Sequence, residues 1–198
     1  MNNTVYLITP LAKGFPVSRN ADYIGVDAGY DLILAQGLPC MEAIGDFDST
    51  GGIVPRGIPV YRHPMVKDET DGELAMARAV SLGYEHIIFW GGLEGRLDHT
   101  LANLRLICWK YPQIMLEDSH QRAFTLLPGV YELNQCSKHI SFFAMGDSEI
   151  SLNGFDYCLD HRKLNNKDMF TVSNRISQQS GVVEIYSGRL LCIESNFK

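Results

Sequence analysis

Apolar residues fall into two textures along the chain. Up to about residue 117, short apolar runs alternate with longer stretches of helical spacing. The runs at 5–9, 23–26, 41–44, 59–63, 87–90 and 114–116 read as strands, and 31–36, 71–82 and a stretch ending near 110 read as helices. The helix at 71 has its own start signal. Thr70 and Glu73 fit a capping box, and Gly83 is placed to stop it. Strands that alternate with helices in this way form a mostly parallel sheet covered on both faces. After residue 117 no long helix is predicted. β-type runs follow at 123–127, 130–133, 140–144, 149–152, 170–172, 182–186 and 190–193, separated by Pro-Gly, Gly-Asp, Asn-Gly and Ser-Gly turns. That spacing predicts an antiparallel β-sandwich or barrel. The expected fold is therefore α/β, with a three-layer domain at 1–117 followed by a sandwich at 118–198 that packs directly on it.

Composition narrows the function without naming it. A chain of 198 residues with 45% apolar and 20% charged content can bury a real core. A net charge of -6 argues against general nucleic-acid binding. No run is long enough to span a membrane, and the start of the chain lacks the pattern of a signal peptide. The five cysteines are odd in number and without a C-x-x-C, so reduced thiols in a cytoplasmic protein are expected.

The candidate chemistry collects at strand ends. Residues 85–105 pass from an apolar strand through Gly91, Gly92 and Gly95 into Arg96, Asp98, His99 and Asn103. The glycines allow a sharp turn and close backbone approach. Asp46 and Asp48 follow another strand, and both point the same way if the chain stays extended there. Asp68 and Asp71 lie three apart at a helix start. In an open α/β sheet such ends converge on one crevice. Gathered carboxylates repel unless they protonate or share a cation, and a hard oxygen-seeking ion such as Mg²⁺ suits them. Arg96 and Lys67 are natural phosphate partners. Read without chemistry, the same aspartates cap turns and the same cations balance them. P-loop, G-x-S-x-G and H-E-x-x-H patterns are all missing. Carboxylates, glycine turns and a few cations are the means of metal-assisted phosphoryl chemistry.

Four stretches in order, GVDAG at 25–29, GDFDS at 45–49, KDETD at 67–71 and GGLEGRLDHTLANL at 91–104, resemble thiamine pyrophosphokinase. Residues 154–159 and Ser173-Asn174 fall where that family's sandwich carries G-L-x-Y-P-L and S-N-E. The resemblance implies transfer of pyrophosphate from ATP to the hydroxyl of thiamine, giving thiamine diphosphate and AMP. It implies Mg²⁺ as cofactor and a homodimer, each site shared between one subunit's α/β domain and its partner's sandwich. Asp46, Asp48 and Asp71 would hold Mg²⁺ and the phosphates, with Asp68 supporting and Asp27 beside them. Gly29, Lys67, Arg96, His99 and Asn103 would line the nucleotide, Arg96 stabilising the transferring phosphates. Asp98, Ser173 and Asn174 would contact thiamine. The chain departs from the pattern at Ala28, Cys158 and Arg175, where Gly, Pro and Glu are usual. Its sandwich half has no Trp, so a ring stacking on thiamine must be Phe or Tyr, such as Phe170 or Tyr157. Rival readings are pyrophosphoryl transfer to another hydroxyalkyl heterocycle such as a pterin, a non-catalytic sensor of nucleotide or thiamine diphosphate, and a metal-dependent phosphohydrolase.

Overall fold

The computed structural model describes residues 2–16, 18, 20–47, 56–62 and 68–196. It divides into two compact units, Met1–Ile107 with Gln113–Ser119 and Cys108–Pro112 with His120–Lys198.

In the first unit the order is β1 (Thr4–Ile8), β2 (Asp22–Val26), α1 (Gly29–Ala35), β3 (Glu42–Gly45), β4 (Val60–Arg62), α2 (Asp71–Ser81), β5 (His86–Trp90), α3 (Leu97–Trp109) and β6 (Ile114–Glu117). The strands are parallel and lie side by side as β4-β3-β2-β1-β5-β6. Alternation of side chains sorts the core into two faces. Tyr6, Ile8, Tyr23, Ile88 and Trp90 gather with Ile33 of α1 on one face. Phe89 points to the other, where Gly72 of α2 lies against its ring and beside Asn103 of α3. Strands buried on both sides explain why these runs are continuously apolar.

Chain order decides where a ligand can enter. From β1 the chain steps outward through β2, β3 and β4, then returns to place β5 on the other side of β1. The connections that leave β1 and β5 therefore run to opposite sides of the strand order, which makes their carboxyl ends the topological switch point.

The second unit holds β7 (Gln121–Leu126), β8 (Gly129–Asn134), β9 (His139–Ala144), β10 (Ser148–Asn153), β11 (Leu159–Leu164), β12 (Ser180–Ser187) and β13 (Leu190–Ser195). All pairings within it are antiparallel, in the orders β7-β13-β9 and β11-β10-β12-β8. Leu126, Ile140, Phe142, Leu190 and Cys192 of the first set pack against Ile150, Leu152, Leu164, Val183 and Ile185 of the second. This is a sandwich core.

Two expectations for this half fail. Residues 170–172 form a turn rather than a strand. Their apolar side chains, Phe170 and Val172, face solvent, while Thr171 is buried and its hydroxyl donates to the Phe142 carbonyl. Conversely, β11 carries the sequence LDHRKL, whose middle four side chains are exposed. It is an edge strand held by main-chain pairing to β10, so no hydrophobic alternation marks it. No helix among the described residues is long and apolar enough to cross a membrane.

Gly29, at the start of α1, shows how tightly the helix is set against the sheet. A Cβ there would land on the Ile8 carbonyl oxygen, which is backbone and cannot yield. Gly29→Ala is expected to cost about 1–3 kcal/mol of stability, the usual penalty of overpacking. Urea unfolding measures it, and an unchanged midpoint would show that α1 can shift freely.

Candidate active site

Three carboxylates meet above the sheet, each delivered by a different element. Asp27 follows β2, Asp46 follows β3, and Asp71 opens α2. Each is half-buried, and one oxygen from each lies within 4.8 Å of the others. The grouping differs from the two sequence pairs, because one aspartate comes from each of three loops. Asp68 is exposed and stands outside the group. Asp48 and Lys67 lie outside the described residues.

The local backbone explains the convergence. Asp27 adopts a φ of 47°, in the left-handed region, and its N–H donates to the Ile44 carbonyl at 2.7 Å. Gly45 cannot carry a side chain, since a Cβ would fall on Asp27 Oδ1. The chain after β3 is not extended as expected: Phe47 has a φ of 61° and buries its ring completely, edge-on to Tyr30 of α1. This buried ring pins the loop and leaves Asp46 beside Asp27. Non-glycine residues held in the left-handed region cost of order 1–3 kcal/mol and cluster at functional sites. Ala28 carries no such strain, because its φ is -67°. The departure from Asp-Gly-Gly is therefore neutral for the backbone. Asp71 is fixed by its helix: Thr70 Oγ1 accepts from the Glu73 N–H at 3.1 Å, the expected cap.

Beside the carboxylates runs the loop after β5. Its glycines serve close packing on the turn after β1. A Cβ on Gly91 would strike Thr9 Oγ1 and the Ala12 backbone, and one on Gly95 would strike Leu11. Asn103 is buried, and its Nδ2 donates to the Gly92 carbonyl at 2.9 Å. It thus ties α3 to the glycine loop. Arg96 makes a two-point contact with Asp98, Nε to Oδ1 at 3.1 Å and Nη2 to Oδ2 at 2.6 Å. That hydrogen bonding holds the Asp98 carboxyl below its ordinary pKa. Both side chains are mostly exposed, so the pair is screened and readily exchanged. His99 is exposed at the same helix start.

In the second unit, Ser173 has a φ of 59° at an exposed turn, and its N–H donates to Ser141 Oγ at 3.0 Å. Asn174 is buried, and its amide is fully committed. Oδ1 accepts from the N–H groups of Tyr157 and Arg175, while Nδ2 donates to the Tyr157 carbonyl. Arg175 in turn pairs with Asp156 at 2.8 Å. Tyr157, Met169, Phe170 and Val172 are exposed on the same two loops. Periodicity alone gives no sign of this surface, because its residues come from turns.

Comparison with known proteins agrees with the geometry. Residues 17–116 match the family model for the thiamin pyrophosphokinase catalytic domain, and residues 130–190 match its vitamin B1 binding domain. The chain is 29% identical over 185 residues to a thiamine pyrophosphokinase of Bacillus subtilis, covering 87% of this chain and 86% of that one. The crystal structure of thiamine pyrophosphokinase from the same species superposes with a TM-score of 0.87 at 26% identity, over 98% of this chain and 100% of the other. That of the thiamin pyrophosphokinase from Geobacillus thermodenitrificans gives 0.86 at 25% identity, over 98% of each chain. With the catalytic model alone covering half of its length and the fold in accord, the chain belongs to the thiamine pyrophosphokinase family.

Proposed function

We propose that this chain catalyses pyrophosphoryl transfer from ATP to thiamine through a divalent cation held by Asp27, Asp46 and Asp71, with Asp48 as a further ligand. The convergence of three carboxylates from three loops carries this reading. Oxygens bound to Mg²⁺ at about 2.0–2.1 Å lie about 3–4 Å apart, and the observed grouping fits that span with small movements. Asp27, Asp46 and Asp71 would hold Mg²⁺, whose charge would offset that of the phosphates in the transition state. The protein's own part is placement. Arg96 exchanges its exposed partner Asp98 for phosphate oxygens, where its planar fork binds two at once. Asp98, released, faces the cationic heterocycle of thiamine. Lys67 and His99 add positive or hydrogen-bonding groups along the triphosphate, and Asp68 acts from outside. Asn103 and Gly29 shape the loops rather than touch the nucleotide. In the second unit Ser173 contacts the thiamine pyrimidine, Tyr157 and Phe170 offer rings for stacking, and Asn174 holds their loops in place.

We assign the working form to a cytoplasmic homodimer in which each site combines one subunit's carboxylates with its partner's Ser173 surface. The cysteines of the structure are unbridged, as a reducing compartment requires. The exposed apolar side chains around Ser173 suit burial against a second copy.

With ATP, Mg²⁺ and thiamine, the nucleotide product is expected to be AMP. Chromatography and mass spectrometry over a panel of heterocyclic alcohols decide among the rivals. ADP as main product, a pterin as the preferred acceptor, or binding without turnover would each replace this assignment.

Asp71→Asn is expected to lower kcat/KM by about 100-fold, the scale of a misplaced reacting group, while leaving the protein folded. A role confined to the helix dipole would instead leave activity intact and cost up to about 1 kcal/mol of stability.

A shared site predicts complementation. Asp46→Asn and a crippling change at Ser173 should each give dead homodimers. Random mixing makes about half of the dimers mixed, and each mixed dimer has one intact site, so activity should return to about a quarter of wild type. Activity that stays at the parental level despite demonstrated subunit exchange would place each site within a single chain.

A further inference from the structure

A partly buried ion pair at the other ends of two site elements offers a means of setting the spacing of the carboxylates. Arg78, in the last turn of α2, grips Glu42 at the start of β3, Nε to Oε2 at 2.9 Å and Nη2 to Oε1 at 3.2 Å. Glu42 is buried, and the Arg78 guanidinium also lies over the Tyr61 ring of β4, 5.0 Å from its centre. The same two elements carry two of the site aspartates at their other ends. Asp71 opens α2, seven residues before Arg78, and Asp46 lies just beyond β3, four residues after Glu42. Seven residues are close to two helical turns, so Asp71 and Arg78 share a face about 10.5 Å apart. β3 is four residues long, so Glu42 stands at one of its ends and Asp46 directly after the other.

Packing between the two ends resists sliding only softly. The buried residues of α2 there are Ala75, Met76 and Ala79, with Gly72 nearer the start. Gly72 and the two alanines raise no ridge to lock one element against another, and Met76 is a flexible, unbranched side chain that adapts to the gap it fills. A two-point ionic grip has the opposite character. It tolerates little sliding, because a shift breaks both bonds and leaves a charge buried. Ion pairs, exposed or buried, are poor sources of stability compared with apolar packing, so a geometric role is the better account of this partly buried one.

We propose that Glu42 and Arg78 are positioning residues that set α2 lengthwise along β3 and so fix the distance from Asp71 to Asp46. The proposal rests on the reading of the carboxylates as the metal and phosphate site. Arg78→Met keeps the stem and removes the grip, and Arg78→Lys keeps the charge without the fork. Glu42→Gln supplies a milder lesion should Arg78→Met fail to fold. Tyr84→Phe is the control, since it removes the hydrogen bond from Tyr84 to Asp22 at 2.8 Å, elsewhere in the same unit. Binding of Mn²⁺ alone is measured by electron paramagnetic resonance, beside urea unfolding and separate kcat and KM for metal–ATP. All three substitutions at the grip are expected to weaken Mn²⁺, Arg78→Lys by about 10-fold, in the range seen when groups behind metal ligands are changed. KM for metal–ATP should rise with it, whereas Tyr84→Phe should lower stability alone. If Arg78→Lys and Glu42→Gln bind Mn²⁺ no more weakly than Tyr84→Phe, the grip is merely structural and the proposal is wrong. Asp71→Asn separates the two levels. If it weakens Mn²⁺ and the grip variants do not, only the positioning role falls. If it binds Mn²⁺ like wild type, the carboxylate reading falls and takes the positioning role with it.

Discussion

Three carboxylates held within 4.8 Å of one another repel, and the first unit is arranged to hold them there. Among the described residues of this unit, two positions sit in the left-handed region without being glycine, Asp27 and Phe47. Such conformations persist only where their surroundings impose them. Here the imposing groups can be named. The Phe47 ring is fully buried, the Asp27 N–H is bonded into β3, and Gly45 leaves the space that Asp27 occupies. Core packing thus maintains an arrangement that electrostatics alone would disperse. Under the proposed function, a cation shared by the three would relieve the conflict by attraction.

Close approach of backbones does the remaining work around the site. Gly29, Gly91 and Gly95 each stand where a side chain would strike a neighbouring loop. The contacts of Gly91 and Gly95 keep the loops after β1 and β5 together at the switch point of the strand order. Asn103 closes the set by bonding α3 to Gly92. The mobile elements of chemistry are left exposed: Arg96 and Asp98 satisfy each other in water and can change partners at little cost. Scaffold residues are buried and committed, whereas the residues assigned to phosphate and thiamine are accessible.

The second unit follows the same division. Asn174 spends every polar atom of its amide on the loops at 157 and 175, and Thr171 is anchored to Phe142. What they support is a turn that presents Ser173 among Tyr157, Phe170 and Val172. Exposed apolar side chains thus stand on turns that buried polar ones hold in place.

Periodicity was enough to place most elements, because strands buried on both faces and a sandwich with one buried face both leave strong patterns. The strand-end motifs likewise pointed to metal-assisted phosphoryl chemistry before any coordinates, since aspartates, glycine turns and an Arg at those ends have few other uses together. Where local pattern is silent, the sequence misled. LDHRKL is a strand because main-chain bonds to β10 hold it at an edge, and 170–172 is a turn because its apolar residues face outward. Pairing by sequence distance joined Asp68 to Asp71, while the folded chain brings Asp27 to Asp46 and Asp71. Which carboxylates meet depends on strand order and on left-handed turns at Asp27 and Phe47, and both are properties of long-range packing. The residue types were thus legible along the chain, but their company was decided only when parallel strands β2 and β3 and helix α2 were laid side by side.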